Sequence, residues 1–183
     1  REKLERGSLK LLPLIETAEA VLHVNDIAGS SDRNIALLFG GEDYLDSVYG
    51  TNDCPRRAFE MPRTMIIMAA RTHGLLPIDT PYLDVKNEEG FMEEESLALS
   101  MGFAGCLIVN PIQISWCNRV FSPSEEEIEK AKAMIEAVNK IQAEGGSIAM
   151  LNGKMIGPPM LKRAGKVLEV VELIEEKGAS YGR

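Results

Sequence analysis

The chain has 183 residues, 45% of them hydrophobic and 26% charged, which are ordinary globular proportions in a length that suits one domain with a real core. A formal charge of −8, with no basic stripe, argues against nucleic acid as a partner, and no apolar run approaches the ~18 residues of a membrane span or reads as a signal peptide. Cys54, Cys106 and Cys117 lack CxxC spacing and His23 and His73 are the only histidines, so three reduced thiols in a cytoplasmic protein are expected rather than a disulfide frame, a zinc site or a multi-histidine centre.

The sequence begins at Arg1, with Glu2 to Glu5 already helix-like, and is expected to start inside a longer gene product. Residues 1–7 read as the end of a helix closed by Gly7. Leu11-Leu12-Pro13-Leu14-Ile15 reads as a strand ending in Glu16-Thr17, and Thr17 is placed to cap a helix starting over 18–22. After a loop at Gly29-Ser30-Ser31, the unbroken apolar run Ile35–Phe39 predicts a strand buried on both faces, as in a parallel sheet. Gly40 and Gly41 permit a sharp turn and leave room for a ligand to approach. Glu42 and Asp43 follow at the strand end, where parallel α/β folds keep their chemistry. Asp43 to Val48 reads as a short helix or turn, and Gly50 to Pro55 as a loop.

Residues 57–73 form a helical pattern, with Ala58, Met65, Met68 and Ala69 near helical spacing and Gly74 ending it. A third strand follows over 75–79, again ending in an acid, Asp79. Residues 87–101 read as a helix whose acids Glu88, Glu89, Glu93, Glu94 and Glu95 suit the helix dipole. The fourth strand is placed at Cys106–Val109 and finishes at Asn110-Pro111. Ser122-Pro123-Ser124-Glu125-Glu126-Glu127 is a helix start with a Ser cap and a capping-box acid, and the helix runs to about Ala143 before Gly145-Gly146. An extended or hairpin segment around Asn152-Gly153 occupies 148–156, and Pro158-Pro159 open a last helix over 160–176.

Four strands alternating with helices make a parallel α/β unit. A closed (β/α)8 barrel needs roughly 250 residues. The chain therefore reads as half a barrel over residues 1–120 and a C-terminal helix and lid segment over 121–183. Glu16 and Asp43 are both strand-end carboxylates, about one βα unit apart. Neighbouring parallel strands lie roughly 5 Å apart, so the two can converge on one cation, and two carboxylates with waters and substrate oxygens are what Mg²⁺ takes. Unrelated acids at loop starts would give the same pattern. Glu42 is a substrate contact or a loop acid, Asn110 and Gln113 line the site or serve the turn, and Lys154 meets phosphates or stays solvated. Asp79 and Asp84 are further candidates for the site. Cys106 is expected to be an inert small hydrophobe.

Several stretches in order then resemble the citrate lyase beta subunit and malyl-CoA lyase family, within the HpcH/HpaI aldolase superfamily. They are Ile15-Glu16-Thr17-Ala18, Gly41-Glu42-Asp43, Asp79-Thr80-Pro81, Gly102-Phe103-Ala104-Gly105 with Asn110-Pro111-Ile112-Gln113-Ile114, Phe121-Ser122-Pro123-Ser124 with Glu127-Ile128, and Asn152-Gly153-Lys154-Met155-Ile156. The resemblance implies strands five to eight of a TIM barrel followed by a lid. It implies that the first four strands, with the family's N-terminal arginine, lie outside this sequence. It also implies Mg²⁺ on Glu16 and Asp43 and a trimer or hexamer whose lid covers a neighbour's site; Glu42, Asp79 and Asn110 are the substrate-binding candidates that their own positions suggest. The implied chemistry is carbon–carbon bond cleavage or formation in a 3-hydroxy acyl-CoA or related thioester. Aldolase chemistry on free 2-oxo acids, as in other branches, is less compatible with the lid segment at 148–156.

Three positions depart from that pattern. The family's lid aspartate is Gly157, its strand-eight lysine is Cys106 and the histidine there is Asn110. A catalytically lapsed homologue that binds metal or ligand, or serves as a scaffold subunit, is the alternative these departures raise.

Overall fold

The apolar run at 35–39 becomes a strand because its neighbours on both sides are strands of the same direction. The computed structural model describes residues 5, 7–51, 55–145 and 148–181. Most of the helix end expected over 1–7, together with Cys54 and Gly146, lies outside those residues.

In chain order the first unit contains β1 (Leu14–Ile15), α1 (Ala18–Leu22), α2 (Val24–Gly29), β2 (Ala36–Phe39), α3 (Gly41–Ser47), α4 (Pro55–Thr72), β3 (Leu76–Asp79), α5 (Glu88–Met101), β4 (Gly105–Cys106) and α6 (Gln113–Phe121). The four strands form one parallel sheet in the order β1-β2-β3-β4. The register pairs Ile15 with Phe39, Leu38 with Ile78 and Asp79 with Cys106. All four strands run the same way, so Glu16, Gly40, Thr80 and Leu107 follow their strands at one edge of the sheet. Parallel α/β sheets present their ligand sites at that carboxyl edge.

The core lies between one sheet face and the helices. Ile15, Leu37 and Phe39 from the strands meet Val21, Phe59 and Ile66 from α1 and α4, all buried. Phe39 and Phe59 contact edge to face, with centroids 5.2 Å apart. A second cluster joins α5 to α6 through Phe91, Trp116 and Val120. Other strand side chains stay open: Leu14 is 43% exposed and Leu76 51%.

Several boundaries differ from the sequence reading. The strand expected over 11–15 is regular only at its last two residues. Pro13 supplies no N–H there, and Leu11 pairs with Asn34 as an isolated bridge. The strand expected at Cys106–Val109 is only Gly105–Cys106, because the chain turns at once toward α6, a helix the sequence reading did not place. α2 was also not separated from α1; it starts after His23, which ends one helix and begins the next.

The second unit, Ser122–Arg183, contains α7 (Glu125–Ala143), β5 (Ala149–Leu151), β6 (Lys154–Ile156) and α8 (Pro158–Tyr181). β5 and β6 form the antiparallel hairpin anticipated around Asn152-Gly153. Both turn residues have positive φ, 51° and 75°, as a two-residue type I′ turn requires. Ser124 and Glu127 cap α7 reciprocally. Among the described residues, no helix is long and apolar enough to cross a membrane.

Candidate functional site

The carboxyl edge of the sheet is built from turns that the sequence closes tightly. Thr17 stays extended (φ −136°) after β1, and its hydroxyl accepts the Ala20 N–H at 3.1 Å, starting α1. The Ala18 N–H donates to the Ser47 hydroxyl at 2.9 Å, and that hydroxyl donates to the Tyr44 carbonyl at 2.7 Å. The start of α1 is thereby tied to the end of α3.

Gly40 and Gly41 serve close packing rather than an open approach for ligand. A Cβ on Gly40 would lie 2.6 Å from the Glu16 Cβ and 3.1 Å from its Oε2. Only a glycine there lets the Glu16 side chain lie over the end of β2. A Cβ on Gly41 would lie 2.7 Å from the Phe59 ring and 2.8 Å from the Thr80 hydroxyl. The Gly41 N–H donates to that hydroxyl at 2.9 Å, which fixes the first turn of α3. Glu42 and Asp43 ride on this turn and are exposed. The two expected metal acids thus belong to one edge: Glu16 packed across Gly40, and Asp43 in the helical turn that Gly41 begins. Among the described residues, no group of three or more His, Cys, Asp and Glu side chains is arranged to hold a metal ion.

Asp79 is not at the surface of this edge. It is fully buried, its Oδ1 accepts the Arg63 Nε–H at 3.1 Å, and its Oδ2 lies 2.8 Å from a terminal nitrogen of the same guanidinium. Arg63 is itself 1% exposed, donates also to Glu94 at 2.6 Å, and lies over the Phe59 ring. Burial pushes the Asp79 carboxyl above its ordinary range, while the Arg63 charge and the Thr80 N–H oppose that shift. In this chain Asp79 anchors α4 to the end of β3, and its carboxylate faces an arginine rather than solvent. The sequence carried a signal for this: Phe59, Arg63, Ile66 and Ala70 are at inward helical spacing, and Arg63 occupies a core position among apolar residues.

Asn110 is half-buried in the turn after β4, where its Oδ1 accepts the Ile112 N–H at 3.1 Å. Gln113 is fully buried. Its Oε1 accepts the N–H groups of Val109 and Asn110, and its Nε2 donates to the Tyr82 carbonyl at 2.7 Å. It braces two strand-end loops against each other rather than lining an opening. Asp84 accepts the Lys86 N–H in its own loop turn.

Glu95 differs from the acids around it. Its neighbours in sequence belong to a solvated helix start, but it lies between Phe91 and Ala98 on the inward face of α5 and is 1% exposed. Burial, with the Asp79 charge adding to it, raises its pKa to about 8. Cys106 from β4 and Cys117 from α6 are half-buried beside it, and the Cys106 S–H donates to the Cys117 sulfur at 3.6 Å. In the second unit, Lys154 is exposed on β6. Gly157 joins β6 to α8, and a Cβ there would meet only Pro159, at 3.7 Å.

Residues 1–111 match the sequence profile of the HpcH/HpaI aldolase/citrate lyase family. The chain is 37% identical over 165 residues to the citrate lyase subunit beta of Haemophilus influenzae, covering 90% of this chain and 57% of that protein. It is 30% identical over 183 residues to the mitochondrial citramalyl-CoA lyase of Mus musculus, covering 96% of this chain and 54% of the relative. Among solved structures, the protein CitE of Mycobacterium tuberculosis in complex with magnesium, acetoacetate and coenzyme A superposes with a TM-score of 0.73 at 25% identity, over 87% of this chain and 60% of that one. The chain spans a little over half the length of the relatives it matches.

Proposed function

The chain belongs to the HpcH/HpaI aldolase/citrate lyase family, and from that premise we propose that it supplies the metal-holding half of an Mg²⁺-dependent carbon–carbon lyase acting on a 3-hydroxy acyl-CoA or related hydroxy-acid thioester. The observation that carries this reading is the packing of Glu16 across Gly40, beside the turn that bears Asp43. The donor chemistry fits: carboxylate oxygens on two adjacent strand ends leave the remaining positions to water and substrate, which is how Mg²⁺ is usually held. In this reading the four parallel strands are strands five to eight of a (β/α)8 barrel, and the half carrying strands one to four covers the exposed Leu14 and Leu76. The whole protein is a trimer or hexamer in which the lid segment reaches a neighbouring subunit.

Glu16 and Asp43 would hold the cation, which supplies Lewis-acid stabilisation of the substrate's hydroxyl oxygen and carboxylate. The chain's own contribution is rigidity. The Thr80 hydroxyl holds the Gly41 N–H, and the Arg63–Asp79 pair fixes the end of β3, so the carboxylates need little rearrangement to meet a ligand. Glu42 is positioned on the same exposed turn to meet substrate or water. Asn110 would offer its amide NH₂, since its oxygen already accepts from Ile112. Cleavage removes the hydroxyl proton, breaks the carbon–carbon bond and leaves the electron pair on the thioester enolate, which must then take a proton at carbon. Gly157, at the position of the family's lid aspartate, has no group to deliver it.

That last point favours a second reading, a lapsed lyase retained for metal or ligand binding or as a scaffold subunit. The full-length protein decides between them when assayed for Mg²⁺-dependent release of acyl-CoA from a panel of hydroxyacyl-CoA thioesters. The lyase reading expects turnover that EDTA and Asp43→Ala abolish, with Mg²⁺ binding lost from the variant by calorimetry. Turnover surviving in Asp43→Ala would overturn the assigned role. Mg²⁺ binding without turnover of any thioester would support the lapsed form.

A further inference from the structure

We propose that Cys106 and Cys117 form a redox-modifiable thiol pair: a low-molecular-weight disulfide such as oxidised glutathione is the oxidant, Cys117 the attacking sulfur and Cys106 the resolving one. β4 and α6 deliver the two thiols to one place, on either side of the turn carrying Asn110, with sulfurs 3.6 Å apart and hydrogen-bonded. A disulfide requires about 2.05 Å, so closure brings the two sulfurs together from 3.6 Å. Both residues are half-buried and pack against the cluster of Phe91, Trp116 and Val120.

The two sulfurs are chemically unequal. Cys117 receives the Cys106 S–H and the Cys106 backbone N–H, and these donors hold its thiol below the ordinary range. Cys106 is pushed in the opposite direction by the same hydrogen bond, by burial and by the Glu95 carboxyl facing it. The charged groups packed around the pair are Glu95 from α5 and, behind it, Asp79 from β3 and Arg63 from α4. One thiolate beside one thiol is the arrangement thiol–disulfide exchange uses.

The steps balance. The Cys117 thiolate attacks one sulfur of the small disulfide, forming a mixed disulfide and expelling one small thiolate. The Cys106 sulfur then attacks Cys117, its proton passing to the departing sulfur, so that the second half of the small disulfide leaves as a thiol. Two protein thiols are oxidised and one small disulfide is reduced to two thiols. The product ties the end of β4 to α6 across the Asn110 turn. This inference does not depend on the proposed lyase activity.

The test is to treat the full chain with oxidised glutathione, quench in acid, alkylate the remaining thiols and map the peptides. The expected result is an internal Cys106–Cys117 link with two alkylatable thiols lost, reversed by dithiothreitol. In Cys106→Ser the reaction should stop at a stable glutathione adduct on Cys117. In Cys117→Ser, Cys106 should be modified at least ten-fold more slowly. Wild-type chain in which both thiols remain alkylatable, carries unresolved adducts at that pair, or is linked through Cys54 would overturn the proposal. That mapping stands even if a serine variant fails to fold.

Discussion

At the scale of single residues, three buried ionisable groups, Arg63, Asp79 and Glu95, determine how this molecule answers to mutation and pH. Arg63 and Asp79 are 1% and 0% exposed and face each other with paired contacts of 3.1 and 2.8 Å. Removing one partner of such a pair leaves a buried charge uncompensated, so Arg63→Leu is expected to cost about 3–5 kcal/mol in chemical denaturation. Arg63→Leu with Asp79→Leu together should recover much of that loss, because two apolar groups need no partner. Glu95 gives the pH signature. Its carboxyl titrates near 4.5 when unfolded and near 8 when folded, so across that interval the native state keeps a proton the unfolded state has lost. Native binding exceeds unfolded binding, and stability therefore falls as pH rises. The contribution is fully present below pH 4.5 and is lost as pH passes through 8, on the order of 3–5 kcal/mol in all. Glu95→Gln should remove that slope from denaturation midpoints measured across the interval; a wild-type curve parallel to the variant's would contradict the assignment.

At the scale of elements, the parts legible in the sequence were those whose signal is local. The capping residues of α7, the Asn152-Gly153 turn and the apolar run of β2 carry their structure in adjacent residues, and each formed where expected. α7 supplies the test: the Ser124 hydroxyl accepts the Glu127 N–H, and the Glu127 carboxylate accepts from the Ser124 N–H and hydroxyl. Ser124→Ala should cost about 1 kcal/mol. Those bonds also hold Glu127 below its ordinary range, so their contribution is present above pH 4.5 and is lost as pH falls through the folded value. What the sequence concealed was decided by tertiary partners. β4 stops after two residues where the chain turns, and the buried Gln113 gathers the Val109 and Asn110 N–H groups while its amide reaches the Tyr82 carbonyl on the loop after β3. Asp79 looked like the other strand-end acids; only the arginine opposite it, on a different element, turns it inward. Glu95 was hidden by the acids beside it, although its spacing from Phe91 and Ala98 marked the inward face. The glycines after β2 were legible as special positions, yet whether their space admits a ligand or a side chain depended on Glu16 and Phe59.

At the scale of the whole molecule, the carboxyl edge with Glu16 and Asp43 keeps its expected acids while Gly157 lacks one, and the two features make opposite demands on function. Gly157 can be tested without confusing chemistry with folding. Its φ is outside the left-handed region, and a Cβ there meets only Pro159 at ordinary contact distance. Its carbonyl already accepts the Met160 N–H at 2.9 Å at the start of α8, a position where aspartate is a favoured cap and changes stability from glycine by only a few tenths of a kcal/mol. A carboxyl group can therefore be added with the fold intact. If the enolate's proton is the missing element, Gly157→Asp should raise acyl-CoA release from hydroxyacyl-CoA thioesters by roughly 10²–10⁴-fold, the usual worth of a positioned general acid. Gly157→Asn, nearly the same shape without a transferable proton, should stay at the wild-type rate, and Mg²⁺ affinity should be unchanged in both. Equal rates in all three proteins, each still abolished by Asp43→Ala, would mean that another group already carries the proton and that the loss at Gly157 has been compensated within the assembly.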